Sequence, residues 1–261
     1  MSRQNYYKHR RRRQRHQVDE ALVVALVRRE RALQPRLGGR KLLHVLRADL
    51  AEGGVSIGRD RFFEVLTRHG LLIERRARSA RTTDSRHGFG LYENLLATLE
   101  LTGPHQALVS DITYIRTNEG FLYLSLVMDA FSRAIVGFDC SDTLEREGAL
   151  RALQQALRQL PEGSEAIHHS DRGSQYCCGD YVACLKGAGV RISMTQANHC
   201  YENAKAERLN GILKQEYGLG GCLESKSQAL RAVRQAVQLY NGRRPHTALS
   251  YSTPMSVHAA A

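Results

Sequence analysis

The spacing of apolar positions divides this chain into a helical first third and a mixed remainder. Apolar residues recur every three or four positions in 18–34, in 40–50 and after Ser56, where the third segment carries Phe62, Phe63, Val65 and Leu66. Pro35 ends the first segment, Gly53 and Gly54 form a turn after the second, and Ser56 suits the N-cap of the third. The pattern predicts three helices, and the last two, joined by a tight turn, are typical of a helix-turn-helix.

From residue 106 onward the period changes to two, which is typical of strands. Three antiparallel strands are predicted at 106–116, 121–129 and 134–140, with a hairpin turn at 118–120. The pattern then predicts, in order, a helix at about 143–160, a strand at 166–169, a helix at about 175–187, a strand at 190–194, and helices at about 202–217 and 225–241. This α/β order resembles the ribonuclease-H-like fold, a mixed five-stranded sheet with flanking helices, in which the first and fourth strands lie parallel and adjacent.

Periodicity and composition together predict five segments. They are a basic N-terminal arm and helix (1–36), an all-α helix-turn-helix domain (37–74), a basic linker (75–105), a core that resembles the ribonuclease-H-like fold (106–218), and a C-terminal helix and tail (219–261). The boundary after the second segment rests on the polar, basic and glycine-bearing stretch 75–90.

Charge is distributed unevenly. Residues 1–90 hold 22 Lys and Arg against 9 Asp and Glu, a net +13, whereas the remainder holds 16 against 17. Because Lys and Arg gain affinity by displacing counterions from phosphates, the first third is expected to contact nucleic acid. Three of its arginines, Arg59, Arg61 and Arg68, fall on the second helix of the predicted helix-turn-helix.

The six cysteines, two of them adjacent at 177 and 178, indicate reduced thiols. No apolar run is long enough to cross a bilayer, and the start of the chain is charged, so a cytoplasmic protein that does not contact membranes is expected. His168, His169, His199 and the cysteines near them lack paired CxxC or HxxxH spacing, so structural thiols are favoured over a zinc site, and a packing role is expected for His169 beside Asp171.

Three acidic residues carry the candidate chemistry. Asp111 interrupts an otherwise apolar strand, although an exposed strand aspartate would look the same. Asp171 ends the fourth predicted strand, where either a turn or a ligand is expected. Glu207 lies on a helix and shares one stripe with Asn203, Asn210, Gly211 and Lys214. Either Glu207 or Lys214 alone could be an ordinary surface residue.

The set as a whole is more specific, because 35 residues separate Asp171 from Glu207 and Lys214 follows seven positions later. This arrangement resembles the DDE transposases and retroviral-type integrases. The strings SDITYI (110–115), HHSDRGSQY (168–176), YENAKAE (201–207) and YNGRRPHTALSYSTP (240–254) are similar to those of OrfB-type transposases of the bacterial insertion-sequence-three family, over about residues 37 to 258.

The resemblance implies Mg²⁺-dependent cleavage of DNA at the ends of an insertion element, followed by strand transfer. Two ions, for which Mn²⁺ can substitute, are expected on Asp111, Asp171 and Glu207, with Asp111 bridging both. Lys214, Asn203 and Arg244 are expected to contact DNA. The implied partners are element ends, target DNA, further copies of the chain, and an upstream reading frame that supplies another helix-turn-helix and a coiled coil. The implied setting is the bacterial cytoplasm, at the nucleoid.

Two positions depart from the family pattern. Leu108 stands where a tryptophan is usual, which puts the stability of the first strand in question, and Glu202 stands where aspartate is usual. Two other functions remain open on the sequence. One is a catalytically silent DNA-binding regulator of transposition, and the other is a ribonuclease of the same fold.

Overall fold

The computed structural model describes residues 2–73, 92–196 and 203–260, with the side chains of 12–19 outside the description. The predicted basic stretch 75–90, His199, Cys200 and Glu202 therefore lie outside the described residues. The chain forms two compact units, 1–77 and 78–261. Each unit has its own core, and each is described by itself.

The first unit consists of α1 (Arg3–Leu33), α2 (Gly39–Glu52) and α3 (Arg59–Arg68). The apolar stripe at the end of α1 buries Val23 and Val27 completely, and these pack with Leu42 and Leu46 of α2 and Phe62 of α3. Burying several side chains of this size contributes about 1.5–3 kcal/mol each, so the three helices stabilise one another. The basic run at 8–16 lies within α1.

The connection between α2 and α3 differs from its prediction in one respect. We expected Ser56 to cap the third helix, but α3 begins at Arg59, and Gly58 occupies the N-cap position with extended backbone and no side-chain cap. Before it, Gly54 adopts a φ of 71°, and Val55 N–H donates to the Leu50 carbonyl at 2.8 Å. This turn after α2 moves the start of α3 beyond the reach of the Ser56 hydroxyl.

The second unit is built on a mixed sheet with the strand order β3-β2-β1-β4-β5. Its strands are β1 (Ala107–Thr117), β2 (Gly120–Asp129), β3 (Ile135–Ser141), β4 (Ile167–Ser170), β5 (Arg191–Met194) and β6 (Cys222–Leu223). The first three are antiparallel, β4 is parallel to β1, and β5 is parallel to β4. The predicted pairing of the first and fourth strands is confirmed. The predicted strand count was one too low, because two-residue β6, which pairs with the end of β1, is too short to show a period.

Helices cover both faces of this sheet. They are α4 (Arg146–Leu157), α5 (Ser174–Cys177), α6 (Gly179–Gly187), α7 (Ala204–Glu216), α8 (Lys226–Gly242) and α9 (Pro254–His258). The helices α7 and α8 share one apolar cluster with β1 and β2, while α4 packs on the other face. There the backbone of α4 approaches β3 so closely that a Cβ on Gly137 would meet the Ala152 carbonyl oxygen at 2.0 Å.

Three local features differ from the sequence predictions. The helix predicted at 175–187 is interrupted at Cys178, whose ψ of 150° is extended, so it forms α5 and α6. The tail beyond α8 also folds, into a 3₁₀ turn at Thr247–Leu249 and the short α9. Leu108, in the place of the usual tryptophan, is 1 % exposed and packs against α4, so the position is filled.

Five cysteines lie in the described residues and all are free thiols, as expected: Cys140, Cys177, Cys178, Cys184 and Cys222. Within the described ranges, no helix combines the length and apolar character that crossing a bilayer requires.

Candidate active site

The candidate site lies at a gap in the sheet. On one edge of β1, β4 pairs with Ala107–Val109 and β6 pairs with Arg116–Thr117, whereas β2 fills the opposite edge along the whole strand. Among the described strands, none pairs with the stretch 110–115 on the β4 side. Asp111 lies in this gap, and α7 covers it, with the Asn203 amide donating to the Ser110 carbonyl at 3.0 Å.

Asp111 is half-buried and poorly compensated. Its Oδ1 accepts from its neighbour Ile112 N–H at 2.9 Å, and its Oδ2 accepts from the Asn210 amide of α7 at 2.7 Å. Burial, together with the negative charges of Asp171 and, less strongly, Glu207, raises the pKa of this carboxyl to about 7, against the two hydrogen bonds that lower it. Asp171 and Glu207 are therefore both near enough to Asp111 for their charges to act on its carboxyl.

Asp171 reaches the gap from β4. Val109 pairs with His169 in the parallel register, so positions 111 and 171, each two residues further along, lie at the same level. The carboxylate caps its own turn, since Asp171 Oδ1 accepts from Gly173 N–H at 2.9 Å. Asp171 can therefore form this turn and still serve as a ligand, because the turn fixes the direction of its carboxylate.

Glu207 and Lys214 approach from α7, on the stripe that the sequence indicated. Glu207 is exposed in the first helical turn. The Lys214 ammonium lies 4.2 Å from the centroid of the Tyr114 ring, a cation–π contact. Burial lowers the pKa of this ammonium, and the charge of Asp111 opposes that shift.

Asn210 lies one turn beyond Glu207 on α7, and its sequence context predicts no role for it. In the structure it holds Asp111, and its other amide atom, Oδ1, is buried with no hydrogen-bond partner. A buried, unpaired carbonyl oxygen is costly unless something else binds it. Helical spacing was the only signal for this residue, since a contact across 99 positions of sequence is invisible in one chain.

Buried polar side chains support the carboxylates from below. His168 Nε2 lies 2.7 Å from Ser110 Oγ and 2.9 Å from the Tyr181 hydroxyl, and burial lowers the pKa of this imidazole to about 3, so it is neutral. His169 is fully buried, with Nδ1 2.8 Å from Ser193 Oγ. Both contacts link β4 to its neighbouring elements and hold the strand that presents Asp171.

The residues predicted to contact DNA occupy different settings. On the first unit, Arg59 pairs with Asp60, Arg61 with Glu20 and Glu64, and Arg68 with Glu20. The Arg59–Asp60 pair is exposed and contributes at most about 1 kcal/mol, whereas Glu20, the partner of Arg61 and Arg68, is only 14 % exposed. On the second unit, the Asn203 amide is engaged by the backbone of β1.

Arg244 lies in the interior and not on a DNA-facing surface. Its side chain is 2 % exposed, and its guanidinium forms two bonds to Glu216, at 2.7 and 2.8 Å, and approaches His246 Nε2 at 2.7 Å. Glu216 is the last residue of α7. Arg244 therefore anchors the helix that carries Glu207, Asn210 and Lys214, an arrangement that leaves its guanidinium out of reach of a phosphate.

Within the described residues, no three His, Cys, Asp or Glu side chains converge closely enough to surround a single ion. What the structure does bring together is a shared central carboxylate with one acidic neighbour from β4 and another from α7.

Comparison with known proteins agrees with this geometry. Two models of the integrase core domain match residues 102–200 and 188–254. An uncharacterized 31 kDa protein of insertion element IS600 from Shigella sonnei is 33 % identical over 242 residues, 92 % of this chain and 88 % of that protein. Transposase InsF for insertion sequence IS3A from Escherichia coli (strain K12) is 36 % identical over 203 residues, 77 % of this chain and 68 % of that protein.

Among solved structures, the intasome of simian T-cell lymphotropic virus in complex with the PP2A regulatory subunit B56 gamma gives a TM-score of 0.52 at 17 % identity. That match covers 85 % of this chain and 74 % of the viral chain, and it supports the ribonuclease-H-like fold. Enzymes of the integrase class generally use divalent metal ions. The sequence relatives, the core-domain models and the fold together show that this chain belongs to the insertion-sequence-three family of DNA transposases, polynucleotidyl transferases of the integrase superfamily.

Proposed function

We propose that this chain cleaves DNA at the ends of an insertion element and joins the released 3′ ends to target DNA, using two Mg²⁺ ions at Asp111, Asp171 and Glu207. The observation that carries the proposal is the coupling of Asp111 to two further carboxylates at a gap in the sheet. Like charges are costly when held together in a partly buried site, and a cation relieves that cost.

The donor atoms suit magnesium. All three carboxylates are hard oxygen ligands, and the unpaired Oδ1 of Asn210 adds another oxygen beside them. Asp111, Asp171 and Glu207 would hold the two ions between them. Two carboxylates for each ion would suffice, because Mg²⁺ commonly retains several waters.

The chemistry that Mg²⁺ would supply at these carboxylates is activation of an attacking water or 3′-hydroxyl and stabilisation of the leaving 3′-oxygen in an in-line displacement. The protein supplies the positioning. Asn210 and Ile112 N–H fix the Asp111 carboxylate, and the turn to Gly173 fixes Asp171. Lys214 contributes a cation beside the same gap, where it binds a phosphate of the DNA strand.

The decisive test compares wild type with Asp111→Asn on a plasmid that carries the gene and its own flanking DNA. We expect Mg²⁺-dependent cleavage by wild type and a loss of more than about a hundredfold in the variant, as when one electrostatic group of an active site is removed. Asp180→Asn, an exposed aspartate paired with Arg146, is the matched control and should cleave normally. Full cleavage by Asp111→Asn would refute the assignment.

The same assay separates the two other functions. A catalytically silent regulator would bind the plasmid without cutting it, with or without the substitution. A ribonuclease would cut an RNA–DNA hybrid in preference to duplex DNA. No comparison favours either function, whereas InsF is named a transposase.

We also propose that the basic first unit binds DNA, that the chain assembles into an oligomer, and that it is made as a fusion with an upstream frame. The proposed place of action is the chromosome. The exposed arginines of α3 are the support for the first of these. We expect the chain alone to bind DNA weakly, with an affinity that falls steeply with salt. Sequence-specific binding by this chain alone at physiological salt would argue against a need for the upstream part.

A further inference from the structure

An exposed aromatic ring lies on β2, the strand next to β1 on the side opposite the gap that holds Asp111. Phe121, at the start of β2, is 47 % exposed and pairs directly with Arg116 of β1. Tyr114 pairs with Tyr123 two positions away. Because directly opposed residues in an antiparallel pair project to the same face, these four side chains share one face of the sheet.

The Phe121 ring is held in a defined orientation. Its centroid lies 5.5 Å from that of Tyr114, with the planes at 85°, an edge-to-face contact. The ammonium of Lys214 lies 4.2 Å from the same Tyr114 ring. Tyr114 thus sits between an aromatic ring and a cation, and it fixes both relative to the sheet.

The charge around this aromatic group is positive. Arg116 is exposed, and Lys214 belongs to the helical stripe of Glu207. In the described part of the chain, neither cation forms an ion pair with a carboxylate. An exposed ring with Arg116 paired opposite it and Lys214 on the other side of Tyr114 suits a nucleotide, whose base stacks on the ring and whose phosphates bind the cations.

The distance between the aromatic group and Asp111 is also suitable for one DNA strand to contact both. Tyr114 is three residues beyond Asp111 on β1, roughly 10 Å along the strand, a distance that about three nucleotides span in duplex DNA. Asp111 and Tyr114 project to opposite faces of β1, but none of the described strands pairs with the edge between them, and the Lys214 ammonium of α7 lies against the Tyr114 ring. A DNA strand that contacts both residues would pass along this edge.

We propose that Phe121 is a stacking platform for an unpaired base of the DNA strand whose phosphate lies at Asp111, with Lys214 and Arg116 binding the adjoining phosphates. The inference deepens the proposed function and rests on it. The positive charge beside the ring favours this occupant over an apolar protein surface.

The test measures DNA binding by the full chain without divalent metal, so that binding is separated from cleavage. Two probes are compared at one salt concentration, a blunt duplex and the same duplex with a three-nucleotide single-stranded tail. Phe121→Ala should weaken binding of the tailed duplex about five- to a hundredfold, the range found when one base loses its stacking partner, and leave the blunt duplex within about twofold.

Phe121→Trp keeps an aromatic face and should retain tight binding of the tailed duplex, whereas Phe121→Leu keeps only apolar bulk and should behave like alanine. Leu144→Ala removes another side chain that is 47 % exposed and should change neither affinity. Equal loss on both probes, no loss with Phe121→Ala, or full binding with Phe121→Leu would each overturn the platform.

This result is independent of the cleavage assay. Normal Asp111-dependent cleavage with no preference of Phe121 for the tailed probe would reject the platform and leave the proposed function intact. Tail-specific stacking in a protein that never cleaves DNA would reject the proposed function and retain the base-binding surface. A change in self-association upon Phe121→Ala, with DNA binding unaltered, would assign the ring to a second copy of the chain and overturn the inference.

Discussion

Two aspartates on the same strand pair, Asp129 at one end and Asp111 further along, have opposite surroundings. Asp129 is fully buried, and four donors serve it: His105 N–H, Phe131 N–H, Ser132 N–H and the Ser132 hydroxyl, at 2.7 to 3.1 Å. Asp111 has two donors and two carboxylate neighbours. The carboxylate of Asp129 accepts the hydrogen bonds that close the β2–β3 turn, whereas the carboxylate of Asp111 keeps acceptor capacity for a ligand.

The difference shows that neighbouring strands of one sheet can carry a structural aspartate and a candidate catalytic aspartate. A buried carboxylate with all its acceptor sites filled stabilises the fold and has no capacity left for a cation. A carboxylate that is left short of donors costs stability until a metal arrives, which is typical of functional sites.

The largest expected effect on stability comes from removing the guanidinium that pairs with the carboxylate of Glu216. Arg244→Leu removes both guanidinium bonds to Glu216, whose side chain is 16 % exposed. We expect a loss of about 3–5 kcal/mol in the free energy of unfolding, as for a broken buried ion pair. Urea denaturation measures it. If Arg244 were a DNA contact instead, stability would be unchanged and only DNA affinity would fall.

Asp129→Asn should also destabilise, by about 3 kcal/mol, because the new amide must present N–H groups where the native oxygens accept from His105, Phe131 and Ser132. The measurement is thermal or urea unfolding at pH 8 in the presence of a chelator. An unchanged midpoint would mean that Asp129 and Asp111 do not differ as described.

In the metal-free protein, Asp111→Asn should raise the free energy of unfolding, whereas Asp129→Asn should lower it. The folded pKa of about 7 exceeds the ordinary 3.8, so the folded state holds its proton more tightly than the unfolded state. The ionised carboxylate therefore costs stability, fully above pH 7 and progressively less as the pH falls toward 4. We expect a gain of about 2 kcal/mol at pH 8 that shrinks at pH 5.

Magnesium provides the control for that variant. Mg²⁺ should raise the melting temperature of wild type more at pH 8 than at pH 6, where protons compete for Asp111, and should not raise that of Asp111→Asn. A destabilised Asp111→Asn in chelator would show that Asp111 has a structural role like that of Asp129.

The smallest effect is expected at Lys214. Lys214→Met removes the cation over Tyr114 and should change the free energy of unfolding by less than about 1 kcal/mol. DNA affinity should fall, and the slope of log affinity against log salt should decrease by about one, as for one lost phosphate contact. Lys226→Met, on an exposed ion pair with Asp142, is the matched control. An unaltered salt slope would remove Lys214 from the DNA path.

Local patterns determined much of the architecture. The period of two located β1 to β3, the period of 3.6 located α4, α7 and α8, and the strings around Asp111, Asp171 and Glu207 named the acidic set. These features are encoded within a few residues, and tertiary contacts reinforce them. Predictions for Ser56 and for 175–187 were wrong where a turn or an extended residue overrode local propensity.

Contacts between distant segments were decided by the tertiary structure. The amide of Asn210 reaches Asp111 across 99 positions, Arg244 is drawn inside by Glu216, and β6 leaves a gap by pairing only with the far end of β1. The sequence shows the same letter for a charged residue whether its side chain contacts a phosphate, a carboxylate or water. Which of these it meets depends on burial and partners, and these exist only once the chain has folded.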